Sequence, residues 1–207
     1  MGPFKELRYQ HRLKKFEPFE TVHPVEKNGK WGFKKRNATK PYIKHIFSKV
    51  EKLTENIFLV QKTEKTEKYG LVDALGFQFV SCKYDCIKPF VNGFAAAKRN
   101  GLWGFIDENG KEVISCVFSE VGKPEDGFVP VCKKMFWGFV YYDGRTALPC
   151  KFDKVEVLEN GFKKAERGGQ VFYFDRKFNE QPKFNVESLY FGNRNNVKNL
   201  DSDNNCF

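Results

Sequence analysis

Between residues 102 and 133 short apolar runs alternate with polar breaks: LWGFID, EVISCVF and GFVPVCK, separated by DENG and by a Gly, Lys, Glu and Asp-rich stretch. Runs of this length, rich in aromatic and β-branched residues and bounded by turn formers, predict three short strands. Successive side chains on a strand point to opposite faces. Trp103 and Phe105 therefore share one face, Gly104 and Ile106 the other. Both faces are apolar or small, so the strand needs cover on two sides. A glycine after the tryptophan admits a close neighbouring backbone or ring, as a layer pressed against the next layer requires.

The same pattern recurs along the chain. Aromatic-small pairs fall at Trp31-Gly32, Tyr69-Gly70, Trp103-Gly104 and Trp137-Gly138, with an eroded copy at Val171-Phe172, in steps of 38, 34, 34 and 34 residues. Other columns keep step. An aromatic returns at Tyr84, Phe118 and Phe152, a branched aliphatic at Ile87, Val121 and Val155, and Gly-Phe at Gly93-Phe94, Gly127-Phe128 and Gly161-Phe162. In the looser first copy these columns hold Phe47, Val50 and Ile57-Phe58, and its extra residues fall in KTEKTEK before Tyr69. FETVHPVEKNGKWGF matches the tail of a further, partial copy. Asp73 in DALG and Asp107 in DENG open hairpin turns in which Gly takes positive φ, so turn chemistry accounts for both acids. In YYDG the leading position is Tyr141.

On NGKWGF (28–33), KYDCIKPFVNGFAAAKRNG (83–101), NGLWGFIDENGKEVISCVFSEV (100–121) and LPCKFDKV (148–155), the chain resembles the WG, or KWG, β-repeat proteins. The resemblance runs from about residue 19 to 178 and departs at its ends, where Lys34 replaces a first-strand aliphatic and Val171-Phe172 replaces Trp-Gly. It implies an all-β, mostly bacterial repeat scaffold without shared catalytic residues. The expected fold is thus all-β: tandem three-stranded repeats of about 34 residues in an open stacked array, with a closed propeller-like ring as the alternative. Eroded end copies suit the caps of a stack. In the ring, strand 21–25 would complete the unit begun at 171–187. The expected organisation is a basic segment at 1–18, a repeat domain at 19–181 with about four repeats and partial end copies, and a cap with a tail of disordered composition at 182–207.

Charge adds a second candidate. Residues 1–68 hold 17 Lys and Arg against 8 Asp and Glu, so most of the net charge of +10 lies there, densest in HRLKKF and KWGFKKR. Arg8, Arg12, Lys14, Lys15, Lys34, Lys35 and Arg36 are candidates for binding nucleic acid or another polyanion, since clustered cations displace counterions from phosphates. A solubilising face explains the same cluster. The chain has no apolar run of membrane-spanning length, no export signal at its start and no myristoylation signal, so a cytoplasmic, monomeric protein without membrane insertion is expected.

Catalytic and metal chemistry find little support. Cys82, Cys116 and Cys150 recur one repeat apart, with His45 in the same column. Zinc bonds of about 2.0–2.3 Å cannot bridge equivalent positions of successive layers. Cys82 and Cys86 are about 13 Å apart on a strand. Small buried hydrophobes are expected at these cysteines, and neither a metal nor a disulfide. The familiar hydrolase, zinc-protease, Walker and dinucleotide motifs are absent, which makes no enzyme and no cofactor the expectation. The aromatic columns, Trp103 among them, read as layer core rather than ligand platform. The function expected is a non-enzymatic scaffold for a protein partner, with polyanion binding as the alternative.

Overall fold

The computed structural model describes residues 21–62, 67–125 and 127–182, and all regular structure among them is β. Four antiparallel sheets follow one another along the chain. The first holds β1 (Val22–Lys27), β2 (Lys30–Lys35), β3 (Ile43–Thr54), β4 (Ile57–Lys62), β5 (Lys68–Asp73) and β6 (Gln78–Tyr84). The second holds β7 (Cys86–Ile87), β8 (Phe94–Arg99), β9 (Leu102–Asp107) and β10 (Glu112–Phe118). The third holds β11 (Glu120–Val121), β12 (Phe128–Lys133), β13 (Phe136–Tyr141) and β14 (Thr146–Phe152). The fourth holds β15 (Lys154–Val157), β16 (Lys163–Arg167), β17 (Gln170–Phe174) and β18 (Glu180–Gln181). Neighbours in each sheet are neighbours in sequence.

The three expected strands are present, with a short fourth strand added, and the sheets are out of phase with the sequence repeat. The repeat opens on the strand of Trp103, but the third sheet opens on β11, directly after the aromatic column of Phe118. A sheet therefore joins the end of one repeat to the start of the next. A single residue marks each passage to a new sheet: Asp85, Ser119 and Asp153. In the first copy Ser48 holds this place, and β3 runs through it with a register shift between Phe47 and Lys49, so two would-be sheets merge into six strands.

The chain falls into two compact units, the first built mainly on residues up to Gly101 and the second mainly on residues from Val113. The core of the first gathers Val22, Phe33, Phe47, Phe58, Val60 and Val72, with Phe33 edge-on to Phe58 at 5.2 Å. That of the second draws Phe128, Phe139, Leu148 and Phe152 from the third sheet and Val155, Ala165 and Phe174 from the fourth. In the second unit, packing of the third sheet on the fourth supplies the cover that strands with two apolar faces demand. Trp103 is 2% exposed and belongs to the core, while Trp31, Tyr69 and Trp137 are half-buried.

The glycine after each aromatic has a different cause from the one expected. A Cβ on Gly32 or Gly70 would lie 2.5 Å from the carbonyl oxygen of Ile43 or Val80, and one on Gly104 or Gly138 would strike that of Ile114 or Leu148. These oxygens belong to the next strand of the same sheet, not to the next layer. The pairing is irregular there: Trp137 faces Phe152 and Phe139 faces Leu148, with a register shift between. Trp31 and Tyr69 face Phe47 and Tyr84 across the same shift. A bulge crowds one backbone against the other, and only a residue without Cβ fits beneath it.

Candidate functional site

The recurring polar columns are bound into the fold. Cys82 and Cys150 point their thiols across the bare glycine of the adjoining strand to the strand beyond, at 3.9 Å from Val60 O and 3.6 Å from Val131 O. Val60 and Val131 are the partners of Gly70 and Gly138. Burial is the main cause that raises the pKa of both thiols, so the reactive thiolate is disfavoured. Cys82, Cys116, Cys132 and Cys150 form no disulfide. Cys86 is disulfide-bonded, which corrects the expectation of no disulfide. The spacing argument covered cysteines one repeat apart and a pair sharing one strand; Cys86 lies on β7, beyond the passage at Asp85. A disulfide lends no support to a reducing compartment. No group of three His, Cys, Asp or Glu among the described residues is placed to hold a metal.

The Asp column closes turns. Asp73 Oδ1 accepts from the amides of Leu75 and Phe77, and Asp107 Oδ1 from those of Asn109 and Lys111. The same column returns at Asp175, whose Oδ1 accepts from Lys177 and Asn179, so the repeat persists beyond Val171-Phe172. The residues at the sheet passages tie adjoining strands. Ser48 and Ser119 donate to Gln61 O and Cys132 O, each at 3.1 Å, while Asp85 and Asp153 accept from the hairpin amides of Gly101 at 2.9 Å and Gly168 at 2.7 Å.

Of the candidate cations, Arg8, Arg12, Lys14 and Lys15 lie outside the described residues, as does Cys206. Lys34 and Lys35 end β2 half-buried, and Arg36 is exposed beyond them. The Lys35 ammonium lies 5.4 Å from the ring centre of Tyr42, which is 58% exposed; Lys40 and Lys44 are also exposed. The three described candidates thus share a strand end with an accessible aromatic ring.

Sequence reasoning passed over a different cation. In GFAAAKR and GFVPVCK the residue after Gly-Phe is apolar, Ala95 or Val129; in GFKKAER it is Lys163. Lys163 is 1% exposed. Its ammonium donates to Arg176 O at 2.9 Å and Asp175 O at 3.4 Å, and lies 4.6 and 4.3 Å from the ring centres of Phe128 and Phe178. Burial is the largest cause lowering its pKa. With Glu125, Glu159 and Arg176, it borders a cavity of about 460 Å³ walled by Phe128, Val157 and Leu158. Two carbonyls and two ring faces answer the ammonium, so this lysine plugs the end of the core.

The outward surface is as regular as the core. Strands β6, β10 and β14, each the last of its sheet, share one alternation in which Ser81 and Lys83, Ser115 and Val117, and Pro149 and Lys151 are exposed. Lys44 and Ile46 follow it in the part of β3 that pairs only with β2. The cysteine between the two exposed positions is the same on all three strands, while the exposed pair changes from Ser and Lys to Ser and Val to Pro and Lys.

The family model for the WG containing repeat matches the chain three times, at residues 69–103, 103–134 and 137–166. Comparison with curated proteins found no match. Among solved structures, the chain is similar to Kluyveromyces lactis Hsv2 at 10% identity and a TM-score of 0.37, over 80% of this chain and 61% of that one. A form of KlHsv2 with loop 6CD replaced by a Gly-Ser linker matches at 11% identity and 0.39, over 81% and 62%. Kluyveromyces marxianus Hsv2 matches at 11% and 0.39, over 76% and 56%. The chain spans about three fifths of the length of these structures. The family matches start on Tyr69, Trp103 and Trp137, each the residue before a glycine crowded by the neighbouring strand, and these three tandem copies make residues 69–166 similar to the WG containing repeat.

Proposed function

We propose that this protein is a non-enzymatic WG-repeat scaffold that holds a protein partner along β10 and β14, outer strands in its second unit. The observation that carries the reading is the alternation on β6, β10 and β14: the same two positions face solvent in each copy, and the exposed pair differs, Ser81 with Lys83, Ser115 with Val117 and Pro149 with Lys151. A fixed frame with a varied outward row is the means by which repeat proteins read an extended partner. The recurring acids and thiols support it, because turns and strand ties already employ them. The test is affinity capture from native lysate with nuclease treatment, comparing wild type with Val117→Ser and Lys151→Glu. A specific protein lost from both variants, with unchanged thermal unfolding, sustains the proposal; capture that ignores both substitutions rejects it.

A second reading, polyanion binding, is favoured by the exposed Tyr42 ring beside Lys35, with Arg36, Lys40 and Lys44 nearby in sequence. Rings stack on bases while cations follow phosphates. Titration with single-stranded RNA at several salt concentrations tests it. Neutralising Lys35 and Arg36 should make the salt slope shallower by about 1.4.

A further inference from the structure

Four of the two-stranded connections are two-residue loops with positive φ at both central positions: Asn28-Gly29, Asn100-Gly101, Lys134-Met135 and Gly168-Gly169. Such turns match the twist of the flanking strands and favour Asn and Gly because both residues are left-handed. Three of the four obey. In the hairpin of β12 and β13, Lys134 (φ 51°) and Met135 (φ 71°) adopt the conformation against their preference. Nothing within the fold compensates by burial, for Met135 is 86% exposed, the most exposed large hydrophobic among the described residues. Phe136 beside it is 44% exposed, and Lys133 and Lys134 are exposed as well. Leu102 holds the place of Phe136 one repeat earlier and is 40% exposed.

Backbone strain and apolar exposure at one tip are each unfavourable, and their coincidence marks a contact made outside the chain. We propose that the Lys133–Phe136 tip docks the protein on an anionic phospholipid surface, Met135 and Phe136 entering the interface and Lys133 and Lys134 meeting the phosphates. Charge and shape select this occupant. The tip is basic on a chain of net charge +10, so an anionic surface attracts both. It is also convex and small. A specific protein interface takes about 1,200–2,000 Å² in total, more than one hairpin end offers, whereas a bilayer interface accepts apolar side chains without a complementary pocket. The contact is peripheral; among the described residues no helix is long and apolar enough to span a membrane.

The experiment is co-sedimentation of the full chain with vesicles of phosphatidylcholine alone or with about 30% phosphatidylserine. Wild type should bind the anionic vesicles and not the neutral ones. The double variant Met135→Gly, Phe136→Ser keeps all lysines and suits the turn better, so it stays folded, as its thermal unfolding will verify. It should bind about tenfold or more weakly. Equal binding by the variant would overturn the proposal, since net charge alone would then explain attachment. Failure of wild type to bind anionic vesicles would also overturn it.

Discussion

The ammonium of Lys163 lies 4.3 Å from the ring centre of Phe178, and both residues are departures from the repeat. Lys163 stands where other copies have Ala95 and Val129. Phe178 stands where they have Gly76, Gly110 and Gly144, and it keeps their left-handed backbone at φ 67°. Its ring packs on Phe128, Phe139 and Tyr141, closing the core of the second unit. The two exchanges answer one another: the added ring gives the buried charge a π face.

A buried charge held mainly by carbonyls is replaceable by an apolar side chain of similar length at little loss or some gain. Lys163→Met should therefore leave stability unchanged or raise it by about 1–2 kcal/mol. Because the folded-state pKa lies below the ordinary 10.5, the unfolded chain binds more protons between the two values. Below the folded-state pKa the penalty on folding is fully present, and it is relieved as pH rises toward 10.5. The melting temperature of wild type should rise relative to that of the variant over that alkaline window. A fall of wild type relative to the variant as pH rises would contradict the burial account.

Gly138→Ala tests the bulge. The added methyl would strike the carbonyl of Leu148 and crowd the amide of Cys150 at 2.7 Å, and backbone on both sides leaves no flexible end to yield. Overpacking of this kind costs about 1–3 kcal/mol. Denaturant unfolding should show that loss at Gly104→Ala and Gly138→Ala alike. If the cause were packing against another layer, the two losses would follow different neighbours and differ.

The folded chain should protect its thiols. Cys82 and Cys150 have pKa values raised chiefly by burial, so labelling with a disulfide reagent near neutral pH should be slow in the native protein and fast after denaturation. Cys150→Ser retains a donor toward Val131 O, and should cost less than Cys150→Ala, whose contact is lost; the difference should be about 1 kcal/mol. Rapid native labelling at Cys82 and Cys150 would place the thiols elsewhere.

Much of this was legible in the sequence because each residue type had one local task. Asp73 and Asp107 were readable as turn acids, Trp103 as core and the period as a stack of strands. The phase of the sheets was not readable, since a sequence repeat has no natural origin and Asp85, Ser119 and Asp153 mark the passage only once strand pairing is known. The reason for Gly104 depends on a bulge in the neighbouring strand, which no periodicity displays. Lys163 was visible as a break in an apolar column, but its justification lies in Phe178, in a different column. Cys86 looked like its neighbours; its bond follows from tertiary position.

Trp103→Ala separates frame from surface. The indole is 2% exposed, and truncating a buried tryptophan costs about 3–5 kcal/mol against a total domain stability of about 5–15. Val117→Ser and Lys151→Glu lie on exposed positions, where substitutions change stability by about 0.5 kcal/mol or less. Thermal unfolding followed by far-ultraviolet circular dichroism should show a large drop for the tryptophan variant and none for the other two. Partner capture should fail in all three, in the first through loss of the fold and in the others with the fold intact. If Trp103→Ala unfolded normally and lost only the partner, the indole would be a ligand platform, and the outer-strand proposal would lose its ground.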